Sequence, residues 1–596
     1  MGQRGCWANH RLHLQQQVGR SLNVTLPYSE RSSLRFLALF CLLLPGCTKS
    51  ENDSEQVLPV SREESAPFFV AVNDEVGLKF VHAPGDLDQF EMPQIMAAGG
   101  AWADFDADGS ADLLFTNGGH QSEPRLPVFL RAQQSRFADE SIDAGIQVPM
   151  AGSGAAVGDL DNDGFLDCLL TGVGESQLWM NNGDGTFRLT RPVSMPRTWS
   201  CSAAFGPLRN DGLLDIVIVN YLAYKAGDYC EDNGGAQEFC GPSSFPGVAD
   251  LVLRNEGRMD VHGTPELTDV TVESGVRSSN GKGLGVVIAD VTGDGRSDIY
   301  VTNDMVANHC WVQQEDGAFV DEAVLRGVAF NWLGEAEASM GIVTGDLTGR
   351  GRTELFLTHL RGQTHTLYSR HENGAFLDET IAAGFAEASL PSTGFGVIAE
   401  DFNHDGKPEI LIANGAVKRP AAEAVGEPGD PISYAEPNQF LTQDASGRFS
   451  DYHSTEDDFL QARDVSRGVI TSDMDDDGDQ DLLVINCAGP ARVYRNIAPK
   501  IGHWLQIRLS DPAGNRFALG ATISITCGAA KYSRQITTGG GYQTSHDSVA
   551  HFGIHEDEIG EIVVDWPDGA SESFGTCDVD HRVILRRGRG SLRDVR

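Results

Sequence analysis

Asp159-Leu-Asp-Asn-Asp-Gly-Phe-Leu-Asp167 is the stretch that decides the fold. Its pattern, D-x-D-x-D-G-x-x-D, recurs without a fault at Asp104–Asp112 and Asp473–Asp481. Two altered copies run Asp290–Asp298 and Asp401–Glu409, and two eroded ones run Pro207–Asp215 and Asp346–Glu354, making seven. An apolar run follows each copy, as in Leu113-Leu-Phe115, Ile216-Val-Ile-Val219 and Leu482-Leu-Val-Ile485. Such runs read as strands, so each acidic loop lies between strands and not between the helices of an EF-hand.

Carboxylates at alternate positions of one tight turn form a cradle for a hard cation. Calcium takes six to eight oxygens, and glycine at position 6 permits the bend. Without a cation, like charges about 4 Å apart repel by roughly 4 kcal/mol at an effective dielectric near 20. The ligand set expected is Asp104, Asp106, Asp108 and Asp112; Asp159, Asp161, Asp163 and Asp167; and Asp473, Asp475, Asp477 and Asp481. To these the altered copies add Asp290, Thr292, Asp294 and Asp298, then Asp401, Asn403, Asp405 and Glu409, for about five calcium sites. The copies at Pro207 and Asp346 carry Arg209 and Arg350 in the cation's place and are expected to be empty turns.

A second motif gives the same count. Phe137-Ala-Asp-Glu-Ser-Ile-Asp-Ala-Gly145 recurs from Leu267, Phe319 and Phe376, with weaker copies from Phe69, Phe187 and Phe449. Loop starts are spaced 55, 48, 83, 56, 55 and 72 residues apart. Units near 50 residues with several short strands are propeller blades. The expected fold is all-β: a seven-bladed β-propeller over residues 67–496, then a small antiparallel β-sandwich-like domain over 497–580. The copy at Phe69 precedes every acidic loop, so the N-terminal segment is expected to complete the last blade and remove a sheet edge.

Residues 1–47 read as a leader. Leu34–Gly46 is a short apolar run behind Arg31 and Arg35, and Leu44-Pro-Gly-Cys47 resembles a bacterial lipobox in which Cys47 is acylated. A polar tether at 48–66 and a basic tail at 581–596, frayed from Arg586 onward, complete the expected organisation. The chain carries a net charge of −40; the leader's five Arg and one Glu contribute +4, leaving −44 for the rest. That excludes nucleic acid as a partner. Of eleven cysteines, Cys230 and Cys240 sit ten apart in a polar insertion and are expected to be disulfide-bonded outside the cell.

The acidic loops resemble the FG-GAP/VCBS repeats of integrin-alpha-type propellers. The tail is similar, motif by motif, to the ASPIC/UnbV domain: Gly502-His-Trp-Leu-Gln-Ile-Arg-Leu509, Asn515-Arg-Phe-Ala-Leu-Gly-Ala521, Gly539-Gly-Gly-Tyr542, His551-Phe-Gly553 and Val564-Asp-Trp-Pro-Asp-Gly569. The resemblance implies a secreted or surface calcium-binding protein with no agreed catalytic residues. The tail's short alternating stretches suggest a sheet packed beside the ring, with Gly539–Gly541 as a turn, and its histidines (His503, His546, His551, His555) fit no zinc spacing.

The leading functional expectation is a non-enzymatic module, lipid-anchored on the cell exterior, that offers a ring face to a protein or glycan. The membrane enters only through the anchor. An envelope-assembly role, with the C-terminal domain as docking piece, is the second reading. An axial hydrolase or lyase is the third, since propellers do house such sites, but no nucleophile elbow or His-Glu-x-x-His motif is present.

Overall fold

The computed structural model describes residues 65–133, 136–190, 193–232, 234–276, 280–419, 430–556 and 558–592. The leader, Cys47 and all but the end of the tether lie outside them. Among the described residues no helix is long and apolar enough to cross a membrane.

The apolar runs after the acidic loops are strands, and they are buried throughout. Each acidic loop joins the first strand of an antiparallel sheet to its second, as Asp104–Asp112 joins Gly100–Ala103 to Asp112–Phe115. Seven such first strands follow one another: Gly100–Ala103, Gly152–Gly158, Val193–Gly206, Gly283–Ala289, Ile342–Gly345, Gly394–Glu400 and Ser466–Ser472. Each heads a blade of four strands, with the second and third blades sharing one sheet. In the second blade the long strand Asp167–Asn181 folds back on itself at Gly174, since the Asn181 N–H donates to Asp167 at its other end. In the seventh blade, Phe69–Ala71 pairs antiparallel with Arg492–Asn496, so the N-terminal segment supplies the outer strand.

One layer of small residues fixes the ring. Five positions before each loop start stand Gly99, Gly154, Ser202, Gly285, Gly341, Gly396 and Gly468. Each faces a carbonyl in or just ahead of the next blade's first strand. A Cβ on Gly154, Gly285, Gly341 or Gly396 would lie 2.7, 2.5, 2.1 or 2.5 Å from Cys201 O, Met340 O, Phe395 O or Arg467 O. Ser202 closes the same step with its hydroxyl, donating to Leu284 O at 2.5 Å. Gly99 meets Ser153 O, and Gly468 returns to Ala98 O, so the sequence of steps is cyclic.

The axis inside this layer is filled by the C-terminal domain. Thr544–His546 pairs parallel with Gly100–Trp102. The Gln543 carbonyl accepts from Gly100 and Ala155, its N–H donates to Ser202 Oγ, and Gly541 exchanges backbone hydrogen bonds with Ile342. Tyr542 is fully buried, edge-on to Phe395, with its hydroxyl donating to Met96 O at 3.0 Å. The opposite mouth is covered by the insertion that Cys230–Cys240 closes. Phe239 packs on Phe90 and Tyr434, while Tyr434 and Arg419 both bond Glu238.

Three expectations about the C-terminal domain are corrected. It does not lie merely beside the ring, and Gly539–Gly541 is no simple turn, because the glycines let backbone approach backbone inside the channel. It is not wholly antiparallel: one sheet sets His503–Ser510 between antiparallel Val549–Ile554 and parallel His581–Arg586, and the other holds five antiparallel strands. Nor are residues 581–592 frayed. Val583 and Leu585 reach the core between arginines that pair outward, and Ser591–Leu592 adds a final strand. The apolar cluster of this domain runs on into Leu160, Leu169 and Phe205 of the ring.

Gly99→Ala would place a methyl 2.2 Å from Gln543 O, backbone against backbone. The expected cost is about 1–3 kcal/mol, read as a lowered midpoint in urea unfolding followed by tryptophan fluorescence.

Candidate metal centre

In the acidic loops two carboxylates organise the backbone. The position-1 carboxylate accepts the N–H groups of positions 5 and 6: Asp159 takes Asp163 at 3.0 Å and Gly164 at 2.9 Å, and Asp473 takes Asp477 at 3.1 Å and Gly478 at 3.0 Å. The position-9 carboxylate bridges loop to blade. Asp112, Asp167 and Asp481 each accept one N–H from loop position 2 and one from the third strand. Position 4 is left-handed at Ala107, Asn162, His404 and Asp476, with φ of 58°, 60°, 63° and 60°. That turn aims the odd-numbered side chains inward, a requirement the D-x-D pattern does not display.

The three unbroken loops bring acids together. Asp104, Asp106 and Asp108 offer oxygens within 4.8 Å of one another, as do Asp159, Asp161 and Asp167, and Asp473, Asp475 and Asp477. Burial, aided by neighbouring acids, pushes Asp104 up to about 6, Asp159 to about 7 and Asp112 to about 8, and holds Asp167 and Asp481 well above the usual carboxylate range. Asp475 Oδ1 is buried with no hydrogen-bond partner. Clustered acids that would otherwise hold protons, with an orphaned oxygen among them, suit a hard divalent cation.

The two altered loops are not among these clusters. In the fourth, Asp290 takes three N–H groups and Asp294 pairs with Arg296. In the sixth, Asn403 uses its amide as an internal brace, accepting from Asp405 and donating to Glu409. The eroded loops differ from each other. Arg209 does take the cation's place, gripping Asp215 at 2.9 and 3.2 Å and also pairing with Asp211. Arg350 does not, which corrects the sequence reading: it turns out to Glu379 at 2.6 Å, and Glu354 is satisfied by Thr348 and Ser369. That loop is short of oxygen donors for a metal, with Thr348 and Arg350 at positions 3 and 5.

The loops face the C-terminal domain. Trp504 packs on Gly478, Arg516 bonds Asn162 O, and Tyr532 lies against Gly406. A cleft of about 1130 Å³ remains between the domain and the ring, where Asp104, Asp401 and Asp473 meet Arg508, Arg534 and Asp547. Two ion pairs cross or line it, Arg534–Glu400 at 2.8 Å and Arg508–Asp547 at 2.6 Å. Cys527 and Cys577 are not bonded to each other.

Fold and loops together define a β-propeller of acidic-loop repeats with an interlocked C-terminal domain, and family matches fall on both. The FG-GAP-like repeat family matches residues 104–170, 159–218 and 290–357, and the ASPIC and UnbV family matches 511–592. Among curated proteins the chain is similar to cartilage acidic protein 1. It is 30% identical to the protein of Homo sapiens over 332 residues, which is 54% of this chain and 46% of that one. Against the Mus musculus protein it is 29% identical over 54% of this chain and 47% of the relative. The matched stretch thus spans less than half the length of these relatives. Among solved structures, an Agrocybe aegerita lectin that specifically recognises non-reducing terminal N-acetylglucosamine aligns at a TM-score of 0.36 and 17% identity, covering 62% of this chain and 82% of the lectin.

Two outcomes are expected. Asp161→Asn removes about one bound divalent ion per chain, whereas Arg350→Ala removes none, as counted by elemental analysis after gel filtration. The second concerns pH. Folding raises these carboxylates above their unfolded values, so the metal-free protein binds more protons than the unfolded chain. Its stability therefore falls as pH rises from about 4, the unfolded carboxylate value, to about 8. The melting temperature in chelator is expected to drop across that window, and saturating calcium is expected to abolish the drop.

Proposed function

We propose that this chain is an exported calcium-binding propeller that acts as an interaction module, holding a protein or glycan on its outer loops. The observation that carries this reading is the filled axis. Residues 541–546 occupy the channel from the acidic-loop side, and the disulfide-closed insertion covers the other mouth. An axial substrate site, the usual seat of propeller enzymes, is closed at the inner layer, so that the space left is the cleft of about 1130 Å³ between ring and C-terminal domain, and neither matching family nor the curated relatives bear an enzyme's name. The same packing weighs against the C-terminal domain as a free docking piece, because its tip and its loop-facing sheet are spent on the ring.

Calcium is the cation this reading assigns to the clusters at Asp104, Asp159 and Asp473, with the loops at Asp290 and Asp401 as weaker candidates. It would neutralise acids that repel one another and so hold the blades by mass action. The Cys230–Cys240 bond suits an oxidising compartment, in keeping with the leader and the lipid anchor expected at Cys47.

Elemental analysis and a glycan and protein array, each run in calcium and in EDTA, test the proposal. Bound calcium together with array binding that EDTA abolishes is the expected result. A protein that carries no calcium and melts identically in EDTA contradicts it.

A further inference from the structure

The three unbroken loops share one pattern, yet the fold surrounds them with different cations. The acids of Asp159–Asp167 take backbone N–H groups, with no ion pair among the described residues. In Asp104–Asp112 one ligand position is engaged: Arg131 pairs with Asp106 and holds Glu140 at 2.6 Å. In Asp473–Asp481 two are engaged. Arg495 lies 3.0 Å from Asp475, and Arg582 lies 3.1 Å from Asp473.

Arg582 differs from the others because it belongs to the C-terminal domain. Its Nη1 donates to Asp476 at 2.7 Å and its Nε to Gln506 Oε1 at 2.8 Å, while Gln506 Nε2 donates to Asp473 Oδ2 at 2.8 Å. Asp473 Oδ2 therefore already receives Gly478, Gln506 and Arg582. Trp504, two residues before Gln506, lies flat against the loop: a Cβ on Gly478 would sit 1.9 Å from its indole.

We propose that the seventh loop is an interdomain metal site, at which cation binding and seating of the C-terminal domain are coupled through Asp473, with Arg582 setting the affinity. A cation entering this loop must share or take over the oxygen that anchors Arg582, so guanidinium and metal oppose each other. Coupling of this kind is reciprocal: the seated domain weakens metal binding, and metal loosens the Arg582 contact by the same factor. The loop at Asp159, free of such a partner, binds first. This rests on the metal-binding reading above.

Terbium, a luminescent calcium substitute, tests it in the full chain. Trp504→Phe is expected to remove one tryptophan-sensitised component, which assigns that component to the seventh loop. Arg582→Gln is expected to tighten that component by about fivefold, the effect of removing one partly exposed ion pair. It should leave unchanged the component that Asp161→Asn removes. Arg582→Lys, which keeps the charge, is expected to titrate near wild type. An Arg582→Gln curve equal to or weaker than wild type overturns the proposal, while absence of any terbium binding overturns the metal reading itself. Hydrogen exchange on the wild type needs no variant: protection in His581–Arg586 should fall over the concentrations that fill the seventh loop, and unaltered protection also overturns the coupling.

Discussion

The structure depends on how closely seven inner strands can approach one another around a single intruding segment. Backbone meets backbone at Gly99, Gly154, Gly285, Gly341 and Gly396, at distances where any Cβ would collide, and at Gly468 a Cβ would meet the Thr544 side chain. In the third blade Ser202 stands at this position and its hydroxyl bonds the carbonyl it faces. Inside that layer the Gly541–Gln543 backbone satisfies strand groups that would otherwise line an empty or wet channel. Ring and C-terminal domain are therefore not two modules joined by a linker. Each supplies surface that the other needs, down to a shared apolar cluster.

Much of this was legible in the sequence. The spacing of the acidic loops gave the blade unit, and the early copy at Phe69 pointed to closure by the N-terminal strand, which the pairing of Phe69 with Asn496 realises. The filled axis was not legible. Gly539-Gly-Gly-Tyr542 reads locally as a turn, and only the glycine five residues ahead of six of the seven loops, a signal present in the repeat but easily taken for strand punctuation, hints that something must fit there. Charge misled at the C-terminus, where Arg582 and Arg587 looked like a solvated tail, because sequence does not show the acids waiting at Asp473, Asp476, Asp511 and Asp568. Arg350 misled in the same way, since its partner Glu379 is distant in sequence.

The loops also show why an eroded copy keeps part of its pattern. Asp346 still accepts the N–H groups of Arg350 and Gly351, both at 2.8 Å, although no acid cluster forms around it. Positions 1 and 9 thus serve the turn and the blade as well as the acid cluster, whereas positions 3 and 5 serve the cluster. Loss of positions 3 and 5 leaves a stable connection between strands, as at Thr348 and Arg350; loss of the position-1 acid is tolerated at Pro207, where Arg209 grips the retained Asp215.

The way the ring is sealed has a kinetic consequence. The last blade pairs residues more than 400 positions apart, and the axis is filled by chain that is made later still. Contacts so distant in sequence must wait for one another, which slows folding and prolongs exposure of unpaired strand edges. A nascent chain leaving the ribosome could form individual blades but could not complete the circle until nearly all of it had emerged. For the exported chain proposed above, this order suits passage through a membrane pore in an unfolded state, with final assembly postponed to the far side.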